Sequence, residues 1–301
     1  MKRVGKAVWK NRVIYTFVLP GILFYLLFRI YPLYFLQIAF RDFRVTRPIQ
    51  ASEWVGLKYF AELFGSLGFK DALGNTIRIN LYKLLFCFPA PILLALLLNE
   101  LRFARLKKVA QTVMYLPHFV SWVIISSILI NFTSVYGGLF NQIRGLFGMA
   151  PYTFLADKGL FRGILVASDI WKETGYGSII YLSAITSIDP ELYEAASIDG
   201  ASRLQKMRYI TLTGIKETVI VMLILRLGSM LSGSFSQVHS LMNDQVLSVG
   251  DTLSTFVYRM GISNSRFSYA AAAGIFNAII AGILLFASDR FAKRLGERGL
   301  F

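Results

Sequence analysis

The sequence predicts an all-α integral membrane protein of six transmembrane helices with both termini in the cytoplasm. Three observations carry that prediction. Hydrophobic residues fill 55% of 301 positions and charged residues 16%, too apolar for the core of a soluble domain. The apolar residues gather in runs of the roughly 20 positions that cross about 30 Å of hydrocarbon. The basic residues, which leave a formal charge of +15, stand in short clusters beside those runs. Lipid headgroups and membrane insertion favour that placement, so the charge reads as orientation rather than as a nucleic-acid surface.

In chain order the predicted spans are 13–35, 79–98, 109–132, 164–188, 215–235 and 269–291. The first follows Lys2, Arg3, Lys6, Lys10 and Arg12 and is too long for a signal-peptide core, so it is expected to stay attached. The fourth carries Asp169, Lys172 and Glu173 near its start. Basic residues crowd the N-terminal tail, the connection holding Arg102, Arg105, Lys107 and Lys108, and the tail holding Arg290, Lys293, Arg294 and Arg298. Those segments therefore face the cytoplasm, and so does 189–213, while 41–78, 133–163 and 236–268 face outside. The basic residues Arg41, Arg44, Arg47, Lys58 and Lys70 in the first outer loop run against the rule, offset by that loop's length and its acids. Residues 1–301 read as one transmembrane domain.

Proline and glycine punctuate the spans at Pro20 and Gly21, Pro89 and Pro91, Pro117, and Gly175 and Gly177. Such positions permit close helix packing, or bending during transport. The lone Cys87 allows no internal disulfide.

The cytoplasmic stretch 189–213 opens with Asp189-Pro190, a helix start, and continues through the helix formers of Tyr193 to Ser197. Gly200 offers a turn, after which Leu204, Met207 and Ile210 fall at helical spacing with Arg203, Lys206 and Arg208 turned to solvent or headgroups. By patterning alone this is either an amphipathic loop on the membrane surface or a knuckle that inserts into a partner.

Residue spacing adds a resemblance. Glu194-Ala195-Ala196, Gly200, Ile210 and Leu212 stand where binding-protein-dependent ABC importer permeases carry Glu-Ala-Ala, a glycine four positions beyond the second alanine, and a closing Ile-x-Leu-Pro. Asp199-Gly200-Ala201 matches the common sugar-importer form, and Trp171, Gly175, Tyr176 and Tyr181-Leu182 lead into the loop much as in maltose-type permeases. The chain resembles the carbohydrate-uptake permeases of the maltose type, the polysaccharide branch most nearly. The family's final proline is Thr213 here, whose hydroxyl is expected to cap the next helix.

The resemblance implies a type I importer fold in the bacterial inner membrane. It implies as partners a second permease, two ATPase subunits that bind ATP and Mg, and an external solute-binding protein. Glu194, Ala195, Ala196, Asp199, Gly200 and Ala201 would then couple this chain to the ATPase. The sequence has no G-x-x-x-x-G-K-[ST] phosphate loop, so ATP is expected on another chain and no cofactor on this one.

Ionisable groups inside spans are expensive and mark a translocation path. Arg226, midway along the fifth span, either faces a cavity that takes an anionic or hydroxyl-rich cargo, or pairs with an acid or carbonyls at an interface. Trp171 offers the aromatic surface that a sugar's C–H face needs, or belongs to the interfacial aromatic belt. Asp169, Tyr176, Asn131 and Gln237 are weaker companions. His118 reads as a core histidine or a cargo contact, and with only His239 besides it a metal site has no support. A mid-membrane arginine in this branch favours oligosaccharides or polysaccharide fragments carrying carboxylates, such as alginate. Two other functions fit the bare hydropathy. A membrane-embedded sugar or lipid transferase would need catalytic acids at a membrane face, and a secondary transporter would need internal repeats or titratable intramembrane acids.

Overall fold

In the computed structural model, residues 11–101, 103–230 and 234–294 are described. The basic residues Lys2, Arg3, Lys6, Lys10, Arg102 and Arg298 lie outside them. Every regular element among the described residues is helical. Among the described residues the fold is all-α, as the sequence predicts.

The first long helix, α1, runs Arg12–Phe40 and leaves its apolar side chains exposed as far as Leu36. The short helix α2 (Lys58–Gly65) follows, then α3 (Leu67–Asn99). Helix α3 begins well before the expected 79 because its first turns are amphipathic. Phe69, Ala72 and Ile79 are buried, and Thr76 accepts the Leu253 amide at 2.8 Å through its hydroxyl. Such a stretch is too polar for a hydropathy scan yet helical once packed.

Within α3 the turn Lys83–Cys87 widens to i→i+5 hydrogen bonds, and the Phe88 amide reaches back to the Lys83 carbonyl at 3.2 Å. Pro89 and Pro91, which donate no backbone hydrogen bond, follow at once.

The third expected span is broken. Helix α4 (Ala104–Phe119) and helix α5 (Trp122–Thr133) meet at 100°. Pro117 tightens the end of α4 into a short 3₁₀ turn, and Ser121 caps α5 by accepting the Ile124 amide at 3.4 Å. Among the described residues, three helices, α1, α3 and Phe267–Arg290 of the last helix, are long and apolar enough to cross a membrane, four if the bent pair counts as one span.

The short helix α6 (Leu139–Leu146) precedes α7 (Phe161–Thr186), which carries Arg162, Asp169, Lys172 and Glu173 and packs along α3. Its partner contacts need small residues. A Cβ on Gly175 would fall 1.8 Å from the Met114 carbonyl oxygen, and one on Gly177 3.2 Å from Pro91. Helix α8 (Pro190–Ile198) and the helical segment 203–214, α9, form an elbow before α10 (Lys216–Ser229). The short helices α11 (Phe235–Leu241), α12 (Leu247–Gly250) and α13 (Leu253–Tyr258) lead to α14 (Phe267–Arg294).

Among the described residues, three larger apolar clusters and the small pair Ile220 and Ile224 hold the bundle. One joins the end of α1 with α2, α3, α13 and α14 around Leu63, Phe69, Phe256 and Tyr269. A second sits around Ile79, Phe161, Leu165 and Val238. The third, Ala95, Leu98, Tyr181, Ile185 and Ile215, lies where α3, α7 and the start of α10 meet, at the root of the elbow. Between the last two clusters the interior turns polar.

Candidate translocation site and protruding elbow

The polar interior is built by the middle of α7. At about 100° per residue, Asp169, Glu173, Tyr176 and Ile180 share one side of this helix. Together with Cys87 and Phe88 of α3 and Met222 and Arg226 of α10, they line a cavity of about 230 Å³. Asp169 is 5% exposed and bridges two cations. Its Oδ1 lies 3.4 Å from Lys83 Nζ, and its Oδ2 accepts from the Arg226 guanidinium at 3.1 Å.

Lys83, 4% exposed, projects from the wide turn of α3. Besides Asp169 it donates to Gln237 Oε1 at 2.5 Å and Ser234 Oγ at 3.1 Å. Gln237 in turn donates to the Leu165 carbonyl at 2.7 Å and to Ser168 Oγ at 2.8 Å. Four helices are thus tied through one carboxylate, one ammonium, one guanidinium and one amide. Buried charges persist when paired and hydrogen-bonded in this way.

Beside it stands a second cluster. His118 Nδ1 lies 2.7 Å from Glu173 Oε2, and the His118 ring stacks on Tyr176 with centroids 3.9 Å apart and planes 3° apart. Lys172 donates to the His118 carbonyl at 2.6 Å, sits 3.4 Å from Glu173 Oε1, and lies over the Trp122 ring. These contacts fasten the corner between α4 and α5 to α7.

Of the residues singled out by sequence, Arg226, Asp169 and Tyr176 line the cavity. Gln237 reaches it through Lys83, and His118 through Glu173 and Tyr176. The two readings of Arg226 coincide: it is paired with an acid and faces a cavity. Trp171 is not brought to them. Two residues beyond Asp169 on α7, it points to the opposite side and is 54% exposed. Asn131 lies exposed near the end of α5. Lys83, Lys172 and Glu173 are the additions. The signal for Lys83 was an ammonium within an expected span.

At the elbow, Asp189 caps α8 by accepting the Glu191 amide at 2.9 Å, with Pro190 in the first turn. Gly200 adopts φ +75°. The Ala201 amide bonds the Ala196 carbonyl at 2.9 Å and the Gly200 amide the Ser197 carbonyl at 3.2 Å, a Schellman closure that the left-handed glycine permits. Ser202 and Gln205 then form a capping box that starts α9. Tyr193 Oη meets Thr211 Oγ1 at 3.0 Å and Lys206 donates to Ser197 Oγ at 2.5 Å, folding α9 back on α8. Glu194, Ala195, Asp199 and Gly200 are exposed, with Ala196 and Ala201 half-buried, and Ile198 is 87% exposed.

Thr213 does not cap α10. Helical backbone runs on through Leu212–Gly214, Ile215 takes the N-cap position of α10, and no side chain caps that helix start. Gly214 instead lets α9 approach Ile188.

A membrane bundle with a charged internal cavity at one level and an uncovered elbow at another defines a transport subunit. Residues 88–298 match the family described as binding-protein-dependent transport system inner membrane components. The chain belongs to that family, and is an inner-membrane permease subunit. It is 42% identical over 300 residues, 100% of this chain and 94% of the relative, to the polygalacturonan/rhamnogalacturonan transport system permease protein YteP of Bacillus subtilis (strain 168). A solved chain from a bacterial ABC transporter involved in import of the acidic polysaccharide alginate superposes with a TM-score of 0.91 at 38% identity, covering 97% of this chain and 99% of its own length. A second, from the alginate transporter in complex with a periplasmic protein bound to alginate pentasaccharide, matches with a TM-score of 0.91 at 37% identity, over 99% of this chain and all (100%) of that one. Lys83 precedes the part of the chain that the family pattern covers.

Proposed function

We propose that this chain is the permease of an ATP-driven importer of acidic oligosaccharides, uronate oligomers or fragments of acidic polysaccharides. In this reading 1–301 is one transmembrane domain of six spans with both termini cytoplasmic, the bent pair α4–α5 serving as the third span. It pairs with a second, homologous permease and two ATPase subunits that bind ATP and Mg. An external solute-binding protein delivers the cargo.

The elbow, through Glu194, Ala195, Ala196, Asp199, Gly200 and Ala201, seats in the ATPase, and closure of the ATPases turns the cavity outward. Trp171 and Asn131, on the outer wall of the chain, contribute to the path only where the second permease covers them.

The observation that carries the cargo class is the Arg226 guanidinium, 3.1 Å from Asp169 in the wall of the cavity. It stands in a chain similar to permeases named for polygalacturonan and alginate. A fixed guanidinium in a low-dielectric wall favours carboxylate cargo over neutral cargo of the same shape.

Uptake into proteoliposomes containing the copurified complex tests the reading. Oligogalacturonate is expected to accumulate with ATP, and its methyl ester much less. Equal accumulation of both, or accumulation without the ATPases, would overturn it.

A further inference from the structure

A second concavity, of about 480 Å³, follows the seam between α3 and α7 and shares no lining residue with the central cavity. Tyr82 and Phe86 of α3 and Val166 and Ile170 of α7 wall it, and Lys158 and Arg162 stand at one end. Polarity is graded along it. The two cations come just before residue 164, where the apolar stretch of the expected span begins, which is the depth of lipid headgroups. Beyond Arg162 the α7 residues that line the groove are small or apolar as far as Ile170. Over that distance the helix rises about 12 Å, most of one leaflet's share of roughly 30 Å of hydrocarbon.

Neither cation has an acid for a partner among the described residues. Arg162 is held by two neutral acceptors, the Val249 carbonyl at 3.1 Å through Nε and Asn75 Oδ1 at 2.8 Å through Nη2. Lys158 makes no hydrogen bond or ion pair among the described residues. Its neighbour Asp157 is engaged by the Tyr152 hydroxyl and by the Gly159 and Leu160 amides. Asp71, Asp244 and Asp251 border a neighbouring recess that Lys158 also lines, and none of them pairs with it.

We propose that the groove is a binding site for an anionic phospholipid. The phosphate lies between the Lys158 ammonium and the Arg162 guanidinium, and an acyl chain runs down the groove against Phe86 and Ile170. Such a lipid carries its charge and its chain in the order in which the groove presents cations and apolar wall. A helix of another subunit would fill the apolar part and leave both cations unmatched, unless it brought an acid to that level. Arg162 is preorganised, because its two bonds fix the guanidinium plane and its fork suits phosphate oxygens. The floor is open: a Cβ on Gly163 would meet nothing within 4 Å. A seated chain braces α3 against α7 beside Cys87 and Phe88, which line the central cavity. The inference is independent of the charge of the cargo.

The test is photolabelling of the assembled complex in phosphatidylcholine nanodiscs. These carry a trace of phosphatidylglycerol or of phosphatidylcholine with a diazirine in the acyl chain, and the labelled peptides are mapped by mass spectrometry. Labelling of the groove walls by the phosphatidylglycerol probe is expected to exceed that by the phosphatidylcholine probe about tenfold or more, and Lys158→Gln to lower this ratio about fivefold. Gly163→Leu, which fills the groove, is expected to remove most labelling by either probe, and excess soluble glycerol phosphate to leave the ratio unchanged. Equal labelling by the two probes in wild type, or a ratio that Lys158→Gln does not move, overturns the proposal. Competition by glycerol phosphate would assign the cations to a free anion and overturn the lipid as occupant. Absence of labelling by both probes overturns it too, and a photoreactive group in place of Phe86 would then identify the subunit that covers the groove.

Discussion

Gly175 of α7 lies so close to Met114 of α4 that a Cβ there would fall 1.8 Å from the Met114 carbonyl oxygen. The obstacle is backbone, which no side-chain rotation relieves. Gly175→Ala must push α4 off α7 at the level where His118 and Lys172 pin the corner. Overpacking of this kind costs at least about 1–3 kcal/mol, and a lowered thermal midpoint in detergent is expected. Gly163, on the same helix with nothing within 4 Å, is the control. Gly163→Ala is expected to leave the midpoint unchanged or raised. An equal loss in both variants would refute the packing argument.

The elbow makes a different demand. Around Gly200 there is open space, so only its φ of +75° restricts substitution. Gly200→Ala is expected to cost roughly 1 kcal/mol locally, and Gly200→Pro to abolish the closure, since the ring fixes φ near −65°. Because the elbow projects from the bundle, both variants are expected to insert normally. ATPase subunits captured on the tagged chain are expected to fall modestly for alanine and drastically for proline. Full capture by Gly200→Pro would remove the elbow from the coupling role.

Outside the spans, Tyr59 of α2 donates to Asp42 Oδ1 at 2.5 Å. Burial and this bond raise the phenol from its usual 10.0 to about 12, and the same bond, with the nearby Arg44, holds the Asp42 carboxyl below its usual 3.8. The raised phenol contributes stability that is complete below pH 10.0 and is lost as pH climbs through about 12. The lowered carboxyl contributes above its usual value and is lost as pH falls through the folded one. Tyr59→Phe is expected to flatten both edges of the thermal midpoint against pH. Edges as steep as in wild type would show that the pair is not linked to folding.

Cys87, the chain's one cysteine, lines the cavity next to Asp169 and donates to the Val166 carbonyl at 3.7 Å. In the proposed function, cargo seated against Arg226 would cover it. Alkylation by a small neutral reagent is expected to slow about fivefold or more under saturating oligogalacturonate, by the occupancy of a filled site. Neutral hexose is expected to give no protection. Labelling indifferent to the acid would place the cargo elsewhere.

What could be read early follows the range of the interactions. The elbow was legible in Asp189-Pro190, Gly200 and Ser202 to Gln205, because caps and left-handed turns are decided by residues a few positions apart. The long apolar helices were legible for the same reason, since each satisfies its own backbone in lipid. The break at Pro117 was half legible: the proline announces a kink, but its 100° angle depends on α7 receiving the corner. The early start of α3 was hidden, because its polar Asn75 and Thr76 are acceptable only once Ser248 and Leu253 are present to bond them.

The sequence by itself determined a membrane-embedded helical chain, the shape of its protruding elbow, and Arg226 as an expensive charge that required a reason. Tertiary structure decided which acid meets that arginine, that Lys83 stands behind it, and that Trp171 turns away. The physical reason is distance along the chain. Lys83 and Asp169 are 86 residues apart and Asp169 and Arg226 57, so no local pattern records their pairing, and only helix packing brings the charges within reach.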